Sequence, residues 1–177
     1  ALSGASWVDE GSLYTLTLGG ARDPGAPGDP LDLDQYIVHW GDGTSDTYTE
    51  PGDVTHLYLD GDFEHTILVD LEVGGSAYLN ASSLPVKVRN VAPAISLTGT
   101  SMAEEGSMYL LSLGEVIDPG ADTVTEYGVD GGDGTVESFS NTGPIGHTYL
   151  EGDAAPVIVV TLVDEDGRHD GGRQSIE

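Results

Sequence analysis

Residues Leu2–Gly25 read LSGASWVDEGSLYTLTLGGARDPG, and residues Leu97–Gly120 read LTGTSMAEEGSMYLLSLGEVIDPG. The stretches align without a gap, and about half of their positions are identical. Repetition at this spacing means that one folding unit is used twice, so the chain has to be read one copy at a time. Further along, the copies rejoin. QYIVHWGDGTSDTYTEPGDVTHLYLDGD (35–62) matches EYGVDGGDGTVESFSNTGPIGHTYLEGD (126–153), and TILVDLEV (66–73) matches VIVVTLVD (157–164). The repeat is roughly the size of an Ig-like domain. It divides the chain into residues 1–92 and 93–177, with the joint at Asn90-Val91-Ala92-Pro93. A short joint containing proline is stiff rather than floppy. The second copy stops at Glu177, before its own version of Val88-Arg89-Asn90-Val91. We therefore expect a longer natural chain and further copies.

Within each copy the apolar period is two. Tyr14, Leu16 and Leu18 alternate with Thr15 and Thr17, and Tyr109, Leu111 and Leu113 repeat the pattern. Ile67, Val69, Leu71 and Val73 alternate in the same way, and Tyr36, Val38 and Trp40 mark another strand. This is the signature of strands with one buried face. Val157–Val163 is apolar on both faces and is expected to be a central strand. Turn residues recur about every 8–12 positions, as in sandwiches. No stretch has a helical period. The expected fold is all-β, as two tandem Ig-like antiparallel β-sandwich domains.

The 177 residues carry 31 acidic and 5 basic side chains, a formal net charge of −26. Nucleic-acid partners are excluded, because phosphate contacts need clustered Lys and Arg. Anionic membrane surfaces are disfavoured for the same reason. No apolar stretch reaches the roughly 20 residues of a spanning helix, so no membrane insertion is expected. There is no cysteine, so stability must come from core packing, bound metal or neighbouring domains rather than disulfides.

The motifs in order are Trp40-Gly41-Asp42-Gly43-Thr44, His56-x-Tyr58, Asp60-Gly61 and then a Val/Leu-rich strand. The second copy has Gly132-Asp133-Gly134-Thr135, His147-x-Tyr149, Glu151-Gly152 and Asp164-Glu165-Asp166-Gly167. This combination resembles the PKD (polycystic kidney disease) repeat, and the opening EGS-x-Y with the DPG loop resembles PKD-type modules of large repetitive bacterial surface proteins. The resemblance implies an Ig-like, non-catalytic module, extracellular or on a bacterial cell surface. It departs from the family pattern in two places. Gly131 stands where the family has Trp, and Val73-Gly74-Gly75-Ser76 replaces the acidic turn of copy two.

Asp42 and Asp133 read as turn residues that accept backbone N–H groups. Tyr58 and Tyr149 read as tyrosine corners, and His56 and His147 as hydrogen-bonded structural histidines. A catalytic triad needs a nucleophile and an orienting acid in a pocket. No G-x-S-x-G or cysteine accompanies these histidines, so no enzyme activity is expected. The chemistry-bearing candidates are acidic. Calcium wants six to eight oxygen ligands, largely carboxylates and carbonyls. In an Ig-like order the B–C and F–G loops share one end of the sandwich. In copy two these loops hold Asp118 and Asp122, and Asp164, Glu165 and Asp166. Copy one offers Asp23, with Asp29 and Asp32 nearby. The expected metal ligands are Asp118, Asp122, Asp164, Asp166 and Asp23, with calcium as the cofactor. The expected function is a structural or adhesive segment of a large extracellular repetitive protein. Its partners would be neighbouring modules and a cell-surface glycan or protein. The alternative is a carbohydrate- or protein-binding accessory module of a secreted hydrolase, which would need an exposed aromatic strip around Trp7.

Overall fold

The computed structural model describes residues 1–22, 31–152 and 155–177. The chain divides into two compact units, Ala1–Val91 and Ala92–Glu177. Every regular element among the described residues is a β-strand.

Unit 1 contains β1 (Leu2–Gly4), β2 (Trp7–Asp9), β3 (Leu13–Leu18), β4 (Gln35–His39), β5 (Ser45–Tyr48), β6 (Gly52–Leu57), β7 (Glu64–Val73) and β8 (Ser76–Arg89). They form a three-stranded sheet in the order β1-β3-β6 and a five-stranded sheet in the order β2-β8-β7-β4-β5. The period-two pattern decides which side chains go inside. In β3, Tyr14, Leu16 and Leu18 are buried while Leu13, Thr15 and Thr17 face outward. Their core partners include Val38, Trp40, Tyr58, Ile67, Val69, Val86 and Val88. The first strand changes sheet after Gly4. β1 pairs antiparallel with β3, whereas β2 runs parallel to the end of β8.

Unit 2 contains β9 (Ala94–Gly99), β10 (Met108–Ile117), β11 (Glu126–Asp130), β12 (Val136–Phe139), β13 (Gly143–Thr148), β14 (Val157–Val163) and β15 (Arg168–Ser175). Its sheets are ordered β13-β10-β9 and β12-β11-β14-β15. β14 lies between β11 and β15, with Ile158, Val160 and Leu162 buried and its other face half-covered. The core gathers Tyr109, Leu111, Leu113, Tyr127, Tyr149 and Ile176 around it.

The Gly-Asp-Gly turns are built alike. Glycines take positive φ on either side of the aspartate, +91° and +92° at Gly41 and Gly43, where a β-carbon is strained. Asp42 Oδ1 accepts the Thr44 N–H at 2.9 Å and the Thr44 hydroxyl at 2.6 Å. Asp42 Oδ2 accepts from His56 Nε2 at 2.7 Å. The Tyr58 hydroxyl donates to the Trp40 carbonyl at 2.9 Å. In unit 2, Asp133, Thr135, His147 and Tyr149 make the same bonds, and the Tyr149 hydroxyl reaches the Gly131 carbonyl at 3.0 Å. The backbone frame therefore survives the loss of the tryptophan. Trp40 is fully buried, stacks on His56 at 4.5 Å and donates from Nε1 to Asp46. At Gly131 a β-carbon would sit 2.9 Å from the Thr135 hydroxyl and 3.3 Å from His147 Nε2, so the polar cluster closes over that position.

Candidate metal centre

The site lies at one end of unit 2, where two loops leave the sandwich. The first follows β10 and begins Asp118-Pro119-Gly120. Asp118 Oδ1 accepts the Gly120 N–H at 2.8 Å, an Asx turn that fixes the carboxylate against its own loop. The second joins β14 to β15 through Asp164-Glu165-Asp166-Gly167. Its backbone closes with an Asp164 N–H to Gly167 carbonyl bond of 3.1 Å. Asp164 Oδ1 accepts the N–H groups of Asp166 and Gly167, each at 3.0 Å, and His169 Nε2 at 2.9 Å. The first loop is tied to the second loop and to the end of β14. The Thr123 N–H donates to Glu165 Oε2 at 3.0 Å, and the Thr125 N–H donates to the Val163 carbonyl at 2.8 Å.

This wiring uses one oxygen of each key aspartate and leaves the other. Asp118 Oδ2 and Asp164 Oδ2 are both buried without a hydrogen-bond partner. The Asp164 side chain has no solvent exposure at all. Oxygens of Asp118, Asp122 and Asp164 lie within 4.8 Å of one another. Each pair of charged carboxylates at that distance repels by roughly 3–4 kcal/mol at an effective dielectric near 20. A buried acceptor without a donor adds a desolvation cost of about 1–3 kcal/mol.

A hard divalent cation answers both costs. Calcium–oxygen distances of about 2.3–2.6 Å let one ion touch oxygens nearly 5 Å apart, whereas magnesium demands near-ideal octahedral geometry at about 2.0–2.1 Å. The donor set is entirely oxygen, the type that suits calcium rather than a thiolate-seeking metal. His169 holds Asp164 Oδ1 in place from behind, as outer partners of metal-binding carboxylates do.

The expected ligands fare differently. Asp118, Asp122 and Asp164 come together. Asp166 supplies its backbone N–H to Asp164, and its carboxylate is not one of the three that converge. Asp23 and Asp29 lie outside the described residues, and Asp32 is exposed. In unit 1 the turn at the position of Asp164-Gly167 is a glycine hairpin, with Gly74 and Gly75 at φ +57° and +76°. There the Gly75 N–H donates to Asp34 Oδ2 at 3.1 Å. The sequence reading missed His169, whose only signal was its place two residues after the D-x-D-G turn.

The histidine–aspartate pairs of the Gly-Asp-Gly turns form no such cluster. Burial pushes the Asp42 carboxyl up, but bonds from Thr44 and His56 outweigh it and hold it below the usual range. The Thr135 hydroxyl, and then His147, hold Asp133 well below the usual range. Trp7 is half exposed, and the Arg89 guanidinium covers its ring at 3.4 Å.

No family profile and no curated protein matches the chain. Among solved structures, the chain is similar to fibronectin(III)-like modules of CbhA from Clostridium thermocellum. The identity is 16%, the match covers 99% of this chain and 92% of that one, and the TM-score is 0.40. It is also similar to one chain of a complex between the mouse coronavirus receptor-binding domain and its murine receptor. There the identity is 9%, the coverage 100% and 99%, and the TM-score 0.34. No helix among the described residues is long and apolar enough to cross a membrane.

Proposed function

We propose that the chain is a non-catalytic structural and adhesive segment of a large extracellular or cell-surface bacterial protein, whose second unit is stiffened by one calcium ion. The observation that carries the metal reading is the pair of buried, unpartnered oxygens, Asp118 Oδ2 and Asp164 Oδ2, facing a third carboxylate from Asp122. A solvated acidic rim would turn such oxygens to water. Here the loop wiring holds them inside. The ion would bridge the loop after β10 to the loop after β14, and so tie one sheet of the sandwich to the other.

The structural and adhesive part rests on the tandem repeat, the PKD-like motifs and the absorption of the repeated His, Asp and Tyr into scaffold bonds. Its partners would be neighbouring modules and a cell-surface glycan or protein. Native mass spectrometry with and without chelator tests the metal reading. One calcium per chain is expected, lost in Asp164→Asn and retained in Thr44→Ala. A chain that carries no calcium at millimolar free ion overturns it.

A further inference from the structure

Unit 2 contains a strand whose outward face is apolar. In β14, Ile158, Val160 and Leu162 point into the core, while Val157, Val159, Thr161 and Val163 point away from it. The outward four are half-buried, apart from Val157, which is exposed. An antiparallel sheet with one face in water ordinarily places polar residues there. Unit 1 comes closer to that rule, since the positions matching these four are Thr66, Leu68, Asp70 and Glu72. The scaffold therefore holds without the valines, and their presence in unit 2 needs another reason. On the neighbouring strand β11, Gly128 stands level with Thr161 and puts no side chain over the stripe.

Charge is ordered across the same face. Glu126 on β11 is level with Val163 and with Arg168 on β15, and Asp130 is level with Val159 and Arg173. Acids thus flank the stripe on one side. Both arginines of unit 2 flank it on the other, in a chain with only 5 basic residues. Arg168 and Arg173 are an odd number of positions apart, and in a regular strand such residues point to opposite faces. A bulge restores their phase. The register between β14 and β15 shifts between Val160 and Thr161, and Gly172 takes φ +98°. Asp170 fastens the bulge, accepting the Gly172 N–H at 3.0 Å and the Arg173 guanidinium at 3.1 Å. On the other flank, the Ser138 hydroxyl donates to Glu126 Oε1 at 3.1 Å and the Gly132 N–H donates to Asp130 Oδ1 at 2.9 Å.

We infer that this face is a docking surface for a second copy of the chain. The order acid, valine, arginine is self-complementary about a two-fold axis that runs along β14 between the two faces. That rotation exchanges the flanks and keeps the level along the strand. Glu126 then meets the partner's Arg168, Asp130 meets the partner's Arg173, and Val159 and Val163 meet their own counterparts. An axis across the strands would set acid on acid, so the charges select one of the two arrangements. Sheets packed face to face lie about 10 Å apart, with their strands nearly aligned, a gap that an acidic and an arginine side chain close from opposite sides. The face measures about 20 Å by 20 Å, which suits a weak, reversible contact rather than a permanent dimer. The inference goes beyond the calcium reading and does not rest on it.

The test is sedimentation velocity of the full chain from about 10 μM to about 1 mM, in chelator and at about 0.15 M salt. The salt screens long-range repulsion between acidic chains, and the chelator keeps divalent ions from bridging them. A monomer–dimer equilibrium that shifts with concentration is expected. Val163→Glu should abolish it with little change in melting temperature, because unit 1 carries Glu72 at the matching position. Glu126→Arg and Arg168→Glu should each weaken association at least about tenfold, since each sets like charges together. Mixed one to one, these two variants should associate again, because acid–arginine pairs re-form between unlike copies. A chain that stays monomeric throughout overturns the inference. So does a dimer that survives Val163→Glu, or a mixture of the two charge variants that stays apart.

Discussion

Asp164→Asn separates the two electrostatic roles of the acidic trio, because it keeps the shape and removes one charge. Asp164 takes part in two carboxylate contacts at or inside 4.8 Å. Each costs roughly 3–4 kcal/mol at an effective dielectric near 20. Asp118 and Asp122 are only half-buried, so water screens part of this. The asparagine oxygen can still accept the Asp166 and Gly167 N–H groups, and its amide can donate to Asp118 Oδ2, which otherwise has no partner. In chelator the variant should therefore be more stable than the wild type, by about 2 kcal/mol after screening. For a domain of this size that is about 10 °C in melting temperature. Calcium reverses the order. At a thousand times the dissociation constant, the wild type gains about 4 kcal/mol by mass action, while the variant gains little. Scanning calorimetry of both proteins, in chelator and in calcium, reads all four values. Superimposable wild-type scans in the two conditions, with Asp164→Asn melting no higher than wild type in chelator, would refute the reasoning.

Other outcomes follow from the scaffold. The Asp133 carboxyl is held below its ordinary 3.8 in the folded state. It therefore contributes stability that is present above that value and is lost as the pH falls below it toward the folded pKa. Thr135→Ala should lower the urea midpoint at neutral pH by about 1 kcal/mol equivalent, and should shrink the further loss between pH 4 and pH 2. Tyr149→Phe leaves the buried Gly131 carbonyl without its donor and should cost about 1–3 kcal/mol in denaturant titrations. Burial, and then the Asp133 charge, push the Tyr149 hydroxyl up to about 12, so the same variant should remove the corresponding step from an alkaline absorbance titration. Gly61→Ala should destabilise unit 1 by more than about 2 kcal/mol, since its β-carbon meets backbone. Gly152→Ala should cost clearly less in thermal melts, since it meets only the flexible tip of Glu105.

The strands were legible because their information is local. Tyr14, Leu16 and Leu18 announce a buried face by alternation, and the same face is buried in the structure. The meeting of Asp118 with Asp164 was legible one level higher, since an Ig-like strand order puts the loops after β10 and β14 at one end. What could not be read was how the lone pairs are shared. That Asp164 spends one oxygen on two turn amides and His169, and keeps the other dry, depends on turn geometry rather than residue type. The same limit applies to Asp166, whose N–H bond to Asp164 Oδ1 follows from the turn and not from the D-x-D-G spelling. The partner of Trp7 was also out of reach of local reading. Its ring is covered by the Arg89 guanidinium, far away in sequence. Glu10 and Glu105 stand in similar contexts, VDEGS and AEEGS, yet one is buried and the other exposed.

The parallel pairing of β2 with the end of β8 has a mechanical consequence. Tension applied at the two ends of unit 1 pulls β2 backward from its start and β8 forward from its finish. In parallel neighbours these pulls slide one strand along the other. The Lys87–Ser6 and Glu10–Arg89 backbone bonds and the Arg89–Asp9 fork are then sheared together, instead of being peeled one at a time. The unit should hold to a threshold force and then give way in one step.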